Sequence, residues 1–434
     1  MEIMSALALT PAEVADLRAA FPYFTRQAEL PAPAAYLDSA ATSQRPAAVL
    51  DAEREFLETA NAAVHRGTSG AVGAATEAFE GARARVAAFV GAKPEEIVWA
   101  ENATDALNLI ALGIGEANAG LGVDGSERFA LGAGDEILVT EAEHHANLIP
   151  WQRLAAKTGA TLTFIPVGED GTWSLDAARE AITPRTRIFA FAHISNVTGF
   201  IAPVAELVEL ARGVGAITVL DACQSAPHIP LDLGALGVDF AAFSGHKMLG
   251  PNGIGVLYGR SEMLAALPPA RTGGSAITRV TMERAEFMPP PMRFEPGTQP
   301  VSQVVGLGAA VDFLQGVGMD RAAAREHELV ERLVAGIEET PGVRLIGPQD
   351  LSQRAALAAV SIEGLHAHDV GQFLDEQGVL VRVGHHCAQP LHRALGMASS
   401  TRASVHLTTT EDEIDRFLDA LRGAQRYFGV EVSA

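Results

Sequence analysis

The 434 residues are 48% hydrophobic and 20% charged, and 32 basic against 53 acidic side chains leave a formal charge of −21. A surface that acidic repels phosphate backbones and anionic lipid, which argues against nucleic acid and membranes as partners. The two cysteines, Cys223 and Cys387, lie far apart, which excludes a disulfide framework and suits a reducing cytosol.

The first residues have no basic flank and no apolar run of signal-peptide length, so the expected location is cytoplasmic. Apolar, β-rich runs then alternate with amphipathic segments. Strands are expected at Glu96–Ala100, Glu136–Glu141, Thr161–Pro166, Arg187–His193, Ala216–Asp221, Asp239–Ser244 and Gly253–Tyr258. Helical patterns fall at Thr76–Val90, Asn147–Lys157, Leu175–Ile182 and Ala202–Val214. Strands that are apolar almost throughout, alternating with helices, predict an α/β fold with a mostly parallel sheet. Gly113–Gly134, rich in Gly and Ala, is expected to be a surface loop. It contains Gly120-Leu-Gly122-Val-Asp-Gly125, which matches a dinucleotide fingerprint without the flanking strand and helix that fingerprint needs, and so reads as a turn.

The pattern changes at Leu267–Arg271 and at the proline run within Phe287–Gly297, after which long helices are expected at Ser302–Gln315 and Asp320–Glu339, and a last one at Glu411–Tyr427. The expected division is an N-terminal segment, 1–35, packing with the small domain, then a large domain, 36–285, and a smaller C-terminal α+β domain, 286–434.

The richest stretch is Ile217–Gly253. Asp221 ends an apolar strand, where ligands gather in open α/β sheets. Lys247 follows another strand through Ser244-Gly245-His246. A lysine that can form a Schiff base, beside a carboxylate that keeps a ring nitrogen protonated, is what a pyridine-aldehyde cofactor requires. Taken singly, the Lys reads as solvated and the Asp as a helix cap. Asn102-Ala103-Thr104-Asp105 opens a helical pattern whose free amides suit an anion. Cys387 follows two His in a glycine-containing loop, a setting that favours an exposed thiolate over the usual buried thiol.

These motifs resemble the class V aminotransferase family of fold-type I pyridoxal phosphate enzymes, and most closely the SUF-type cysteine desulfurases. The resemblance is carried from Tyr36 to the last helix by YLDSAATSQRP, NAAVHRG, ENATDALN, EAEHHANLIPWQ, HISNVTG, DACQSAPH, FSGHKMLGPNGIG, RFEPGT, VRVGHHCAQPL and TRAS. It implies a large domain with a seven-stranded sheet binding pyridoxal 5'-phosphate. Lys247 would hold the cofactor, Asp221 would face the ring nitrogen, and His144 would stack on the ring. Gln224 would bond the phenolic oxygen, with Asn196 beside it near the substrate. Ala103, Thr104, Ser244 and His246 would cradle the phosphate, with Thr298 reaching in from a second subunit of a homodimer.

The resemblance further implies that Arg402 clamps the α-carboxylate of L-cysteine, as its two-pronged guanidinium suits, and that Cys387 takes the sulfur as a persulfide, leaving L-alanine. The sulfur would supply iron–sulfur cluster assembly through a SUF-type acceptor protein. His-x-His-Asp at His366–Asp369 implies that His368 lends a transient zinc ligand in the complex with that partner, with no metal bound by this chain alone. Three positions depart from the pattern: Ser69, Gln299-Pro300 and Thr408-Thr409-Thr410, all expected near the substrate mouth. Selenocysteine lyase, cysteine sulfinate desulfinase, another class V aminotransferase-like enzyme and an idle scaffold of the same fold stay open as alternatives.

Overall fold

The computed structural model describes residues 8–430. After the short β1 (Ala35–Tyr36), the central sheet is built from β2 (Ile97–Ala100), β3 (Glu136–Thr140), β4 (Thr161–Ile165), β5 (Thr186–Ala192), β6 (Ile217–Asp221), β7 (Phe240–Ser244) and β8 (Gly255–Gly259). Their order is β2-β8-β7-β6-β5-β3-β4. The contiguous pairs from β4 to β7 are parallel, and β8 alone runs against its neighbours.

Alternation explains how one sheet makes two cores. Leu138, Phe189, Phe191, Leu220 and Phe243 enter the core on one face. Ile137, Val139, Ile188, Ala190, Val219 and Ala242 enter the core on the other. β4 lies at the edge and exposes Thr161 and Phe164, as an uncovered strand does.

A hairpin, β9 (Ile277–Val280) and β10 (Ala285–Phe287), projects exposed residues and was not expected from the sequence. A second, antiparallel sheet holds β11 (Val343–Ile346), β12 (Leu357–Ile362), β14 (Arg382–Gly384) and β15 (Ser400–Ser404), in the order β11-β12-β15-β14. The helices Met319–Glu338, Ala367–Glu376 and Glu411–Tyr427 cover it. Here β1 pairs in parallel with β13 (Val379–Leu380).

The break at Phe287–Gly297 is one of composition and not of packing. The helix Val301–Val317 lies against Ala47–Thr59 and Gly70–Phe89, with Val304, Leu307 and Val311 in the core of the large sheet. The N-terminal segment touches both sheets' layers. Val14, Phe21 and Phe24 join the large core, while Arg18 pairs with Glu413 at 2.9 Å and Glu13 with Arg321 at 2.8 Å. Residues 1–7 of that segment lie outside the described residues.

The expected loop at Gly113–Gly134 is corrected at its start. The helix Ala103–Asn118 runs through Gly113, where a Cβ would come within 2.9 Å of Leu267 and Pro268, so that glycine allows close packing rather than a turn. Gly120–Gly125 is neither helix nor strand, with turns at Gly120 and at Asp124–Gly125. No single helix among the described residues is long and apolar enough to cross a membrane.

Candidate active site

A cavity of about 640 Å³ opens where the carboxyl ends of β5, β6 and β7 meet the second sheet. Ala103, Thr104, His144, Asn196, Asp221, Gln224, Ser244, His246, Lys247, Cys387 and Arg402 all line it. Of the residues singled out for cofactor or substrate, Thr298 alone does not.

One wall of the cavity is built on the large sheet's strand ends. Asp221 ends β6 and Lys247 follows β7 by one short turn, and the two strands are parallel neighbours with Asp221 beside Ala242. The Asp221 Oδ1 accepts the Cys223 N–H at 3.0 Å, which fixes the carboxylate. His144 caps the turn His145–Asn147, its Nδ1 accepting the Ala146 N–H at 3.0 Å, so the neutral ring carries its proton on Nε2. Burial, opposed by Asp221 and reinforced by Lys247, lowers its pKa to about 4, and the ring is neutral at pH 7.

Asn102 caps the helix Ala103–Asn118 through the Asp105 N–H, and Ser244 accepts the Ala103 N–H at 2.9 Å. At Gly255 a Cβ would lie 2.5 Å from the Asn102 Cα, so only glycine lets β8 approach this helix start. His246 is held neutral, near pKa 4, by burial and by Lys247. The Gln224 amide donates to the Ala40 carbonyl at 2.9 Å, while its Oε1 is buried and unpartnered among the described residues.

The opposite wall of the cavity comes from the second sheet. Arg402 on β15 is buried, and donates to the Asn196 carbonyl at 2.8 Å and, at 3.4 Å, to Asp38. Its Nε has no partner among the described residues. Burial, opposed by Asp38, lowers its pKa to about 10, so it stays cationic at neutral pH. Asp38 also binds Arg382 at 2.8 Å; sequence reasoning gave neither residue a role.

Cys387 is exposed, in a turn between β14 and the helix Gln389–Ala394. The Asn196 amide does not stand free beside a ring: its Nδ2 donates to the His386 carbonyl at 2.7 Å and so holds this turn. His386 and His392 each share a 2.9 Å hydrogen bond with the Ser400 hydroxyl. By contrast, Cys223 is buried, and burial pushes its thiol up to about 12, unsuited to nucleophilic work.

Sequence reasoning also missed Glu143. It is buried, it receives the Thr140 hydroxyl at 2.6 Å, the Asn147 amide at 2.7 Å and the Ala192 N–H at 3.1 Å, and burial pushes it up to about 8. An acid immediately before the His-His pair was the available signal.

Thr298 lines a neighbouring cavity of about 470 Å³ with Trp99, Arg271 and Glu295, which shares Glu101, Asn102 and Gly253 with the first. Among the departures from the family pattern, Gln299 and Pro300 line that second cavity. Ser69 caps the helix Gly70–Phe89, and Thr410 caps Glu411–Tyr427. None of them, nor Thr408 or Thr409, lines the 640 Å³ cavity. His366 and His368 are exposed, with rings stacked at 5.2 Å.

The family model for aminotransferase class-V proteins matches residues 35–417. The chain belongs to the aminotransferase class-V family. Among curated relatives of this class-V chain, a probable cysteine desulfurase of Mycobacterium leprae is 52% identical, over 98% of this chain and 100% of the relative. One from Streptomyces coelicolor is 45% identical, over 95% and 97%. An apo cysteine desulfurase from Thermococcus onnurineus superposes with a TM-score of 0.88 at 37% identity, over 97% and 100% of the two chains. The S-sulfonic acid form of an Escherichia coli cysteine desulfurase gives 0.84 at 35%, over 95% and 98%. The class-V chain thus has the fold-type I architecture.

The donor set also fits pyridoxal phosphate. A helix start borders the cavity at Ala103 and Thr104, a fixed carboxylate and a lysine flank it, and buried Gln224 Oε1 and Arg402 Nε have no partner among the described residues.

Proposed function

We propose that the chain is a pyridoxal phosphate-dependent cysteine desulfurase, which moves sulfur from L-cysteine to Cys387 and releases L-alanine. The observation that carries this reading is an exposed thiol lining the same cavity as Lys247, Asp221, His144 and Arg402. Bound pyridoxal phosphate supplies an electron sink conjugated to the substrate Cα.

The chain's own residues do the rest. Lys247 anchors the cofactor and moves a proton at the substrate Cα. Asp221 would keep the ring nitrogen protonated, neutral His144 and Gln224 would help hold the ring, and Asn196 would border the substrate while it holds the Cys387 turn. Ala103, Thr104, Ser244 and His246 receive the phosphate. The open Nε of Arg402 takes the substrate carboxylate. The Cys387 thiolate attacks the substrate sulfur. An S–S bond forms as Cβ–S breaks, and the electron pair left on Cβ takes a proton, giving the methyl of alanine.

Thr298 supports a homodimer with composite sites, since it lies outside its own chain's cavity yet borders the helix start that serves the phosphate. The exposed His366–His368 pair, at the start of the helix that precedes the Cys387 loop, supports docking of a zinc-bearing SUF-type acceptor, with His368 as a transient zinc ligand. Sulfur would then reach iron–sulfur cluster assembly. The acidic surface and unpaired cysteines support a cytoplasmic location. The test is product analysis on the holoenzyme with L-cysteine and a reductant. Alanine and sulfide in equal amounts are expected. Turnover of cysteine sulfinate with none of cysteine would contradict the proposal.

A further inference from the structure

Cys387 occupies backbone that side chains avoid: φ is 49° at His386 and 57° at Cys387. Such a turn persists only where its surroundings over-determine it. Three ties reach it from the large-sheet side. The Asn196 amide holds the His386 carbonyl at 2.7 Å. The His145 backbone N–H donates to the Cys387 carbonyl at 2.7 Å. The Gln389 N–H, two residues past the thiol, donates to the His145 Nε2 at 3.2 Å. His145 therefore grips the turn twice just past the thiol-bearing residue's Cα, once with its backbone and once with its ring, while Asn196 holds the residue before it.

The same short turn carries His144, whose ring lines the cofactor cavity one residue earlier. Glu143 and Asn147 brace that turn from beneath. We infer that His145 is the positioning residue of the Cys387 loop, its ring nitrogen setting the thiol against the cavity that His144 borders. The inference deepens the desulfurase reading and rests on it.

The chemistry needs such a joint. The groups that would hold the cofactor stand at the large sheet's strand ends, while the attacking thiol, like Arg402, belongs to the second sheet. A reacting pair must come within roughly 3–3.5 Å, and an error of about 1 Å can cost on the order of 100-fold. To accept the Gln389 amide, Nε2 must be unprotonated, with the ring proton on Nδ1. Burial, helped by nearby His385, lowers the His145 pKa and favours that neutral form.

The experiment compares holoenzymes carrying His145→Ala and His145→Gln. The glutamine oxygen stands about where Nε2 does and can accept the same N–H. For His145→Ala, kcat for cysteine should fall about 10- to 100-fold while KM stays within about twofold. The cofactor's visible band should be unchanged. Deuterium exchange in the segment 385–391 should quicken by roughly fivefold, as the loss of one modest hydrogen bond implies. His145→Gln should recover both kcat and slow exchange. The inference is overturned if His145→Ala exchanges at the wild-type rate, if its visible band is altered, or if glutamine rescues nothing. Wild-type enzyme that makes no alanine from cysteine would defeat the desulfurase reading instead, with the exchange arm still deciding whether the tether exists.

Discussion

Asp221 and Lys247 stand at the ends of adjacent parallel strands, where the chain has little freedom to move them. Cys387 stands on an exposed turn in left-handed backbone, fixed by hydrogen bonds from residues 190 to 244 positions away in sequence. One half of the site takes its geometry from a sheet, the other from a few polar ties to a strained loop. The sheet half suits groups that must hold a cofactor still through every turnover. The loop half suits a nucleophile that must first attack inside the cavity and then present its sulfur outside it.

Lys247→Ala removes the anchor of the sheet half. Turnover should fall by about 10⁴ or more, and the visible band at about 420 nm should vanish; a borohydride-sensitive band in the variant would refute the assignment. Cys387→Ser breaks only the loop half. The band should survive while alanine formation drops at least ~100-fold under both single and multiple turnover, and undiminished turnover would make Cys387 structural.

Arg402→Lys tests the join between halves, because a point charge cannot reproduce the fork that also binds Asp38 and the Asn196 carbonyl. The KM for cysteine should rise by about 10-fold or more, read from initial rates. A fourth prediction concerns stability. Burial lowers the pKa of His193, between β5 and the Asn196 loop, to about 4. A histidine whose folded pKa lies below its unfolded one contributes full stability above the unfolded value, and loses it as pH falls through the window from about 6.5 towards 4. Urea unfolding should show roughly 2–3 kcal/mol lost to this group across that window, and His193→Gln should flatten the slope.

The sheet half was legible in the sequence because its residues sit in contiguous motifs at strand ends. Asp221, Gln224, Ser244, His246 and Lys247 fall within 27 positions, and every strand bearing them is apolar enough to be read directly. The loop half was legible only as a list of residue types. Cys387 and Arg402 announce themselves by motif, but nothing local says that Asp38 links Arg382 to Arg402, or that Asn196 and His145 hold the thiol's turn. Those are contacts between distant segments, and no period or spacing encodes them. The hairpin β9–β10 was missed for a different reason: its short strands are largely exposed and lack an apolar pattern. Gly113 misled because a glycine that permits close packing looks, in sequence, like one that permits a turn.

On the proposed route, sulfur leaves the substrate directly onto the loop thiol. Mass spectrometry of the peptide containing Cys387, after the holoenzyme meets one equivalent of L-cysteine without reductant, tests it most directly. One added sulfur atom on Cys387 is expected for each alanine released, removed by a thiol reductant. Alanine formed in equal amount with Cys387 unmodified would contradict it.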